Sequence, residues 1–312
     1  PRPLRPGTRF EPAVADLVDR AVTETEGGVL VFLPGEGEIR RVAATLRDRL
    51  PSGFVIRPLY GAMPLRDQRA AIRPAPDARK IVLSTSVAET SLTIEDIRVV
   101  VDGGRARRAR FDPGAGMSRL VTERVTRAEA TQRAGRAGRV APGVAYRLWS
   151  RGEDGALSAH PPAEIDRADL AGLALALAQW GARPEALPFV TQPPAAAYRA
   201  AEALLALLGA IDDRGRITGH GRALAALPLH PRLGHMLLLC GPEAAPLAAL
   251  LAERDPLPRE APADLALRLE ALRDPDRFAA ERPWPPDRAA LARISVEAKR
   301  LARAVPATGS PA

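Results

Sequence analysis

One cysteine, two lysines, four histidines and few aromatic residues are the shortages that frame this 312-residue sequence. Cys240 stands alone, so no intramolecular disulfide can form. Its place at the end of the apolar run MLLLC predicts a buried structural thiol in a reducing compartment. His160, His220, His230 and His235 are scattered without metal-ligand spacing, which argues against a metal site. The longest apolar runs, LAGLALALAQW among them, fall short of the roughly 20 residues that span a bilayer, and the opening PRPLRPGTRF carries no apolar signal core. A cytoplasmic protein is therefore expected. Aromatic residues make up 4% of the chain, and Trp149, Trp180 and Trp284 read as core or interface side chains. Lys80 and Lys299 are the only lysines, so basic charge is carried almost wholly by arginine.

That charge is clustered. Between Arg98 and Arg139 lie eleven arginines and four carboxylates, nearly the whole of the net charge of +8. A local block of this kind points to a nucleic-acid or nucleotide surface rather than a generally basic protein. Its densest part is QRAGRAGR, Gln132 to Arg139. If the segment is helical, Gln132, Arg136 and Arg139 fall at i, i+4 and i+7 on one face, with Arg133 turned aside. Such a fork of planar, permanently charged guanidinium groups suits phosphate oxygens. The competing reading is a solvated basic helix.

Periodicity divides the chain. The first half alternates helical patterns (Pro12 to Glu26, Glu36 to Leu50, Leu65 to Ile72) with short apolar runs (Val29 to Leu33, Phe54 to Pro58, Ile81 to Ser84, Ile97 to Asp102, Val144 to Trp149). Nearly continuous Val/Ile/Leu strands between helices predict an α/β fold with a parallel sheet covered on both faces. Ligands of such sheets sit beyond the carboxyl ends of the strands, where Ser84, Thr85 and Asp102 emerge. After Ile97 to Asp102 a hairpin is expected over RARRARFDPGAGMSRL. It can be a wedge between strands, a base-stacking element through Phe111, or simply a packed hairpin. Past Trp149 the pattern turns helical, at Asp169 to Trp180, Ala195 to Leu208, Arg232 to Cys240, Pro246 to Glu253 and Ala263 to Arg273. Two apolar stretches flank a turn at Asp212 to Gly215. Thr218, His220 and Arg222 beside it read as surface or turn residues.

KIVLSTSVAETSLTIEDIRVVVDGG, Lys80 to Gly104, resembles motif V of the DEAH-box helicases of superfamily 2, and QRAGRAGR resembles their motif VI. VLVFLPGEGEI (Val29 to Ile39) is similar to their motif IV, in matching order. ARFDPGAGMSRL and LAQWGARPEALPF resemble a bacterial branch of the family. The resemblance covers essentially the whole chain. It implies a second RecA-like domain at residues 1–150, a degenerate winged-helix domain at 151–224, a helical bundle, or ratchet-like, domain at 225–303 and a flexible tail at 304–312. The family's Gly-Lys-Thr loop and DEAH box are missing, and neither lysine follows a glycine. The sequence is thus expected to be part of a larger enzyme, inactive alone as an ATPase.

The resemblance also implies roles. Gln132, Arg136 and Arg139 meet nucleotide phosphates, with Arg139 the arginine finger and Arg136 near the γ-phosphate. Thr93 and Glu95 touch the nucleotide, Glu95 standing where Asp is usual. Ser84, Thr85, Thr90 and Ser91 meet single-stranded RNA, with DNA left open, and strand capping is the alternative for these hydroxyls. Arg107 and Arg108 meet backbone phosphate. ATP and Mg2+ are the implied cofactors, the Mg2+ ligands lying in an N-terminal RecA-like domain of the same polypeptide. The protein is expected to be a monomer moving 3′ to 5′. Two other classes compete with this one: a silent RNA-binding or adaptor module, and a dinucleotide-binding oxidoreductase. GEGEIR after VLVFL imitates the glycine fingerprint of the latter, but Arg40 takes the third glycine's place.

Overall fold

The computed structural model describes residues 8–89, 93–112, 116–139 and 141–305. The chain divides into two compact units, Pro1–Arg167 and Ala168–Ala312.

In chain order the first unit runs α1 (Phe10–Glu24), β1 (Gly28–Phe32), α2 (Glu36–Arg49), β2 (Phe54–Leu59), α3 (Leu65–Ile72), β3 (Arg79–Ser84), β4 (Ile97–Asp102), β5 (Arg105–Asp112), β6 (Met117–Arg124), α4 (Arg127–Ala134), β7 (Val144–Arg147) and α5 (Arg151–Gly155). Five strands form a parallel sheet in the order β2-β3-β1-β4-β7, and β5 and β6 form a separate antiparallel hairpin. Central β1 is buried throughout because each face of the sheet is covered. Val29, Val31 and Leu33 pack with α1 and α2, while Leu30 and Phe32 pack with Ala71, Ile94 and Ala137. Those two cores explain the unbroken apolar runs, since alternate side chains enter opposite layers. The observed boundaries lie within about two residues of the expected ones.

Residues beyond β7 remain tied to this unit. Ser158 and Ala159 carbonyls accept from the amides of Arg127 and Ala128, and Arg167 O accepts from Phe111 N at 2.9 Å. The first compact unit therefore extends through Arg167.

The second unit contains α6 (Ala171–Trp180), α7 (Ala195–Leu207), α8 (Gly219–Ala225), α9 (Pro231–Cys240), α10 (Ala245–Ala252), α11 (Leu265–Arg273), α12 (Pro275–Glu281) and α13 (Arg288–Ala304). Between α7 and α8 the chain reverses through a turn closed by an Ile211–Ile217 antiparallel bridge. Thr218 caps α8, accepting from Gly221 N at 2.9 Å. A Cβ at Gly221 would overlap the Ala210 carbonyl, so α8 lies directly against the bridge. One core joins Leu237 of α9, Ala248 and Ala249 of α10, and Ile294 and Leu301 of α13.

One sequence expectation fails here. Cys240 is exposed, because Pro231, Gly234 and Leu237 already form the buried face of α9 and MLLLC holds more apolar residues than that face admits. Trp180 is 74% exposed at the end of α6, whose buried stripe is Ala171, Ala174, Leu175 and Leu177. Trp149 does enter the core, at 4% exposure.

Candidate nucleotide and nucleic-acid interface

Thr126 starts α4 with a capping box: Glu129 N donates to Thr126 Oγ1 at 3.3 Å, and the Glu129 carboxylate accepts from Thr126 N at 2.7 Å. The helix ends at Ala134, with Gly135 at its carboxyl cap. Beyond it the chain winds more tightly, Arg136 N bonding to Arg133 O at 3.0 Å and Ala137 N to Ala134 O at 3.1 Å. The shared helical face expected for Gln132, Arg136 and Arg139 is thus not formed, because glycines weaken the helix and buried Ala137 anchors the following turn into the core with Leu30 and Val100.

The arginines sort differently from expectation. Arg133 is the most deeply placed of them, 1% exposed and turned into the core. Its Nε meets Glu89 Oε2 at 3.1 Å, its Nη1 meets Asp102 Oδ1 at 2.9 Å, and its guanidinium lies 4.9 Å from the Phe32 ring centre. Arg136, also buried, donates to the Glu89 backbone carbonyl. Arg139 is exposed and donates through Nη1 to Thr93 Oγ1 at 2.6 Å. Gln132 is exposed on α4. Together Arg133 and Arg136 hold Glu89, and Arg139 holds Thr93, so the motif VI residues grip both flanks of the 90–92 segment. Arg136 and Arg139 also line one small gap with Leu30, Ala88, Ile94 and Ile97.

Electrostatics follow from burial. Burial pushes the Asp102 and Glu89 carboxyls above their ordinary range, with Arg133 opposing. Burial works against the Arg133 charge too, but Asp102 and Glu89 outweigh it and raise its pKa. Arg136 is lowered, first by burial and then by repulsion from Arg139. An anion between those two arginines would relieve that repulsion.

The nucleic-acid candidates scatter. Ser84 is fully buried, its hydroxyl donating to Leu59 O at 3.1 Å, so it offers nothing to an external strand. Thr85 is half-buried at the mouth of β3. Thr90 and Ser91 lie outside the described residues. Glu95 is exposed. Arg107 turns to Glu38 at 3.3 Å, and its guanidinium covers Gly35, where an added Cβ would meet Nη1 at 2.5 Å. Arg108 is paired with Glu123 at 3.3 Å and with Glu129. The two hairpin arginines are therefore committed to internal carboxylates instead of standing free for phosphate. Arg110 and Arg119, opposite one another in the hairpin, are exposed. Glu89 was missed as a site residue; the available signal was Arg133 sharing the buried face of α4 with Ala130 at i and i+3. Among the described residues no group of three His, Cys, Asp or Glu side chains could hold a metal ion, and no helix is long and apolar enough to cross a membrane.

A covered parallel sheet with arginines returning to its strand ends defines the class: residues 13–141 match the helicase conserved C-terminal domain, and residues 201–229 match the helicase associated domain HA2, winged-helix. The chain is 44% identical to the ATP-dependent RNA helicase HrpB of Escherichia coli K12 over 85% of its length and 33% of that protein. It is 38% identical to the probable ATP-dependent RNA helicase DHX34 of Mus musculus, over 78% of this chain and 22% of that one. The crystal structure of the Escherichia coli DEAH/RHA helicase HrpB superposes with a TM-score of 0.82 at 40% identity, covering 97% of this chain and 37% of that one. The chain belongs to the DEAH-box helicase family. It spans about a third, or less, of the length of these relatives.

Proposed function

We propose that this chain is the carboxyl-terminal portion of an ATP-dependent RNA helicase, supplying phosphate-binding arginines and part of the RNA surface but not a complete ATPase. The grip of Arg133, Arg136 and Arg139 on Glu89 and Thr93 carries this reading. A charge change felt at Arg139 or Arg136 is transmitted to both flanks of the segment that holds Thr90 and Ser91. In this reading the residues up to about 150 act as the second RecA-like domain, 151–224 as the winged-helix domain and 225–303 as the bundle that keeps hold of the strand.

ATP supplies the phosphoryl group passed to water, and its Mg2+ ligands belong to a separate half that carries the Gly-Lys-Thr loop and DEAH box. Exposed Arg139 acts as the arginine finger, exchanging Thr93 for a phosphate oxygen, while Arg136 and Gln132 orient the phosphates. Thr93 and Glu95 flank the nucleotide. Thr85, Thr90 and Ser91 meet the backbone of a single RNA strand, and Arg107 and Arg108 join them only by leaving their carboxylates. The working unit in this reading is a monomer in the reducing cytoplasm.

ATP turnover by the complete polypeptide, with and without single-stranded RNA, tests this. Arg139→Ala is expected to lower RNA-stimulated hydrolysis by about 10³-fold, the scale of an arginine finger, while RNA binding survives. Unchanged turnover refutes the finger, and absence of turnover in the wild type favours the silent RNA-binding module.

A further inference from the structure

The second unit contains a cleft of about 390 Å³ between the end of α6, α7 and the turn that joins Ile211 to Ile217. Trp180, Arg183, Tyr198, Glu202, Arg214 and Arg216 line it. Three of these are arginines and one is a carboxylate, so the cleft favours an anion. Arg216 is already paired with Asp212 at 2.8 Å. Arg183 and Arg214 are exposed, and neither side chain forms a hydrogen bond or ion pair with a described residue. Arg183 reaches over the turn, its Nη2 3.7 Å from where a Cβ on Gly215 would stand. Tyr198 is 8% exposed, and its hydroxyl makes no hydrogen bond to a described residue. Trp180 completes the wall with an indole that is 74% exposed.

An open indole beside two uncommitted guanidinium groups matches the two halves of a nucleotide. Every base has a face that stacks on an aromatic ring, and arginine suits a phosphate. The volume falls within the roughly 300–1,000 Å³ of small-molecule sites, enough for one base and its phosphate. We propose that this cleft binds one nucleotide unit, its base stacked on Trp180 and its phosphate held by Arg183 and Arg214. The site belongs to the second unit, whereas the motif V and motif VI residues belong to the first, and it does not depend on the proposed helicase activity.

Tryptophan fluorescence of the whole chain tests it at low salt, titrated with AMP, adenosine, a hexa-adenylate RNA and poly-glutamate. AMP and the hexamer are expected to quench emission, and the quenching is expected to vanish in Trp180→Ala. In the Arg183→Ala/Arg214→Ala variant, half-saturation by AMP should rise about tenfold or more while that by adenosine stays the same. A hexamer that saturates at lower concentration than AMP identifies a nucleic-acid strand as the natural source; equal saturation identifies a free nucleotide. The proposal is overturned if neither ligand quenches, if quenching persists in Trp180→Ala, if adenosine matches AMP, or if poly-glutamate quenches equally. All three substituted side chains are exposed, and an unchanged circular dichroism spectrum certifies the fold.

Discussion

Replacing Arg133 by methionine, which keeps its length but removes its charge, isolates the ion pairs at the centre of the first unit. Arg133, Glu89 and Asp102 have side-chain exposures of 1%, 9% and 2%, so solvent cannot take over when the guanidinium goes. Among the described residues Asp102 Oδ1 would retain only the Gly104 amide at 2.8 Å, and its Oδ2 is already buried without a hydrogen-bond partner. Removing one member of a buried pair costs about 3–5 kcal/mol, because the remaining charge stays buried and uncompensated. For a unit of this size that loss lowers the melting temperature by roughly 6–20 °C. Urea and thermal unfolding of the chain, followed through buried Trp149, measure it. Adding Asp102→Asn removes the orphaned charge and should restore at least about half of the loss. The pH response has a definite sign. Asp102 and Glu89 are raised in the folded state above their ordinary values of 3.8 and 4.5, and without Arg133 they rise further. A carboxyl raised in the fold binds its proton more tightly there, so stability falls as pH rises through the window above those values. The deficit of Arg133→Met should therefore be widest at neutral pH and narrow on acidification toward about pH 4 to 5. A loss below about 1 kcal/mol at pH 7, or a deficit that widens on acidification, refutes the argument.

Thr126→Ala removes the capping box that starts α4 and should cost about 1 kcal/mol in urea unfolding, with Thr126→Ser recovering most of it. Gly221→Ala drives a Cβ into the Ala210 carbonyl and should destabilise the second unit by about 1–3 kcal/mol, leaving the Trp149 transition unchanged. Exposed Cys240 should react with a thiol reagent in the native chain as fast as in the unfolded chain; the buried thiol read from MLLLC would react only after unfolding.

The sheet was legible because its signal is local and repetitive. Short Val/Ile/Leu runs separated by helical patterns admit few arrangements other than a covered parallel sheet, and β1, β3 and β4 appear where those runs stand. QRAGRAGR was legible as the densest part of a charged block, since eleven arginines against four carboxylates between Arg98 and Arg139 stand out in the sequence alone. Which arginine does what was decided only by tertiary structure. Periodicity carried the helix past Ala134, whereas burial of Ala137 among Leu30, Ile94 and Val100 draws the chain inward and leaves Arg133 inside and Arg139 outside. Glu89, Asp102 and Arg133 lie far apart in sequence and meet because β3, β4 and α4 converge at one end of the sheet. The fates of Ser84, Arg107, Arg108, Cys240 and Trp180 have the same origin. A side chain's type states what it can bond to, but the packing of distant segments determines which partner reaches it first and whether water can compete.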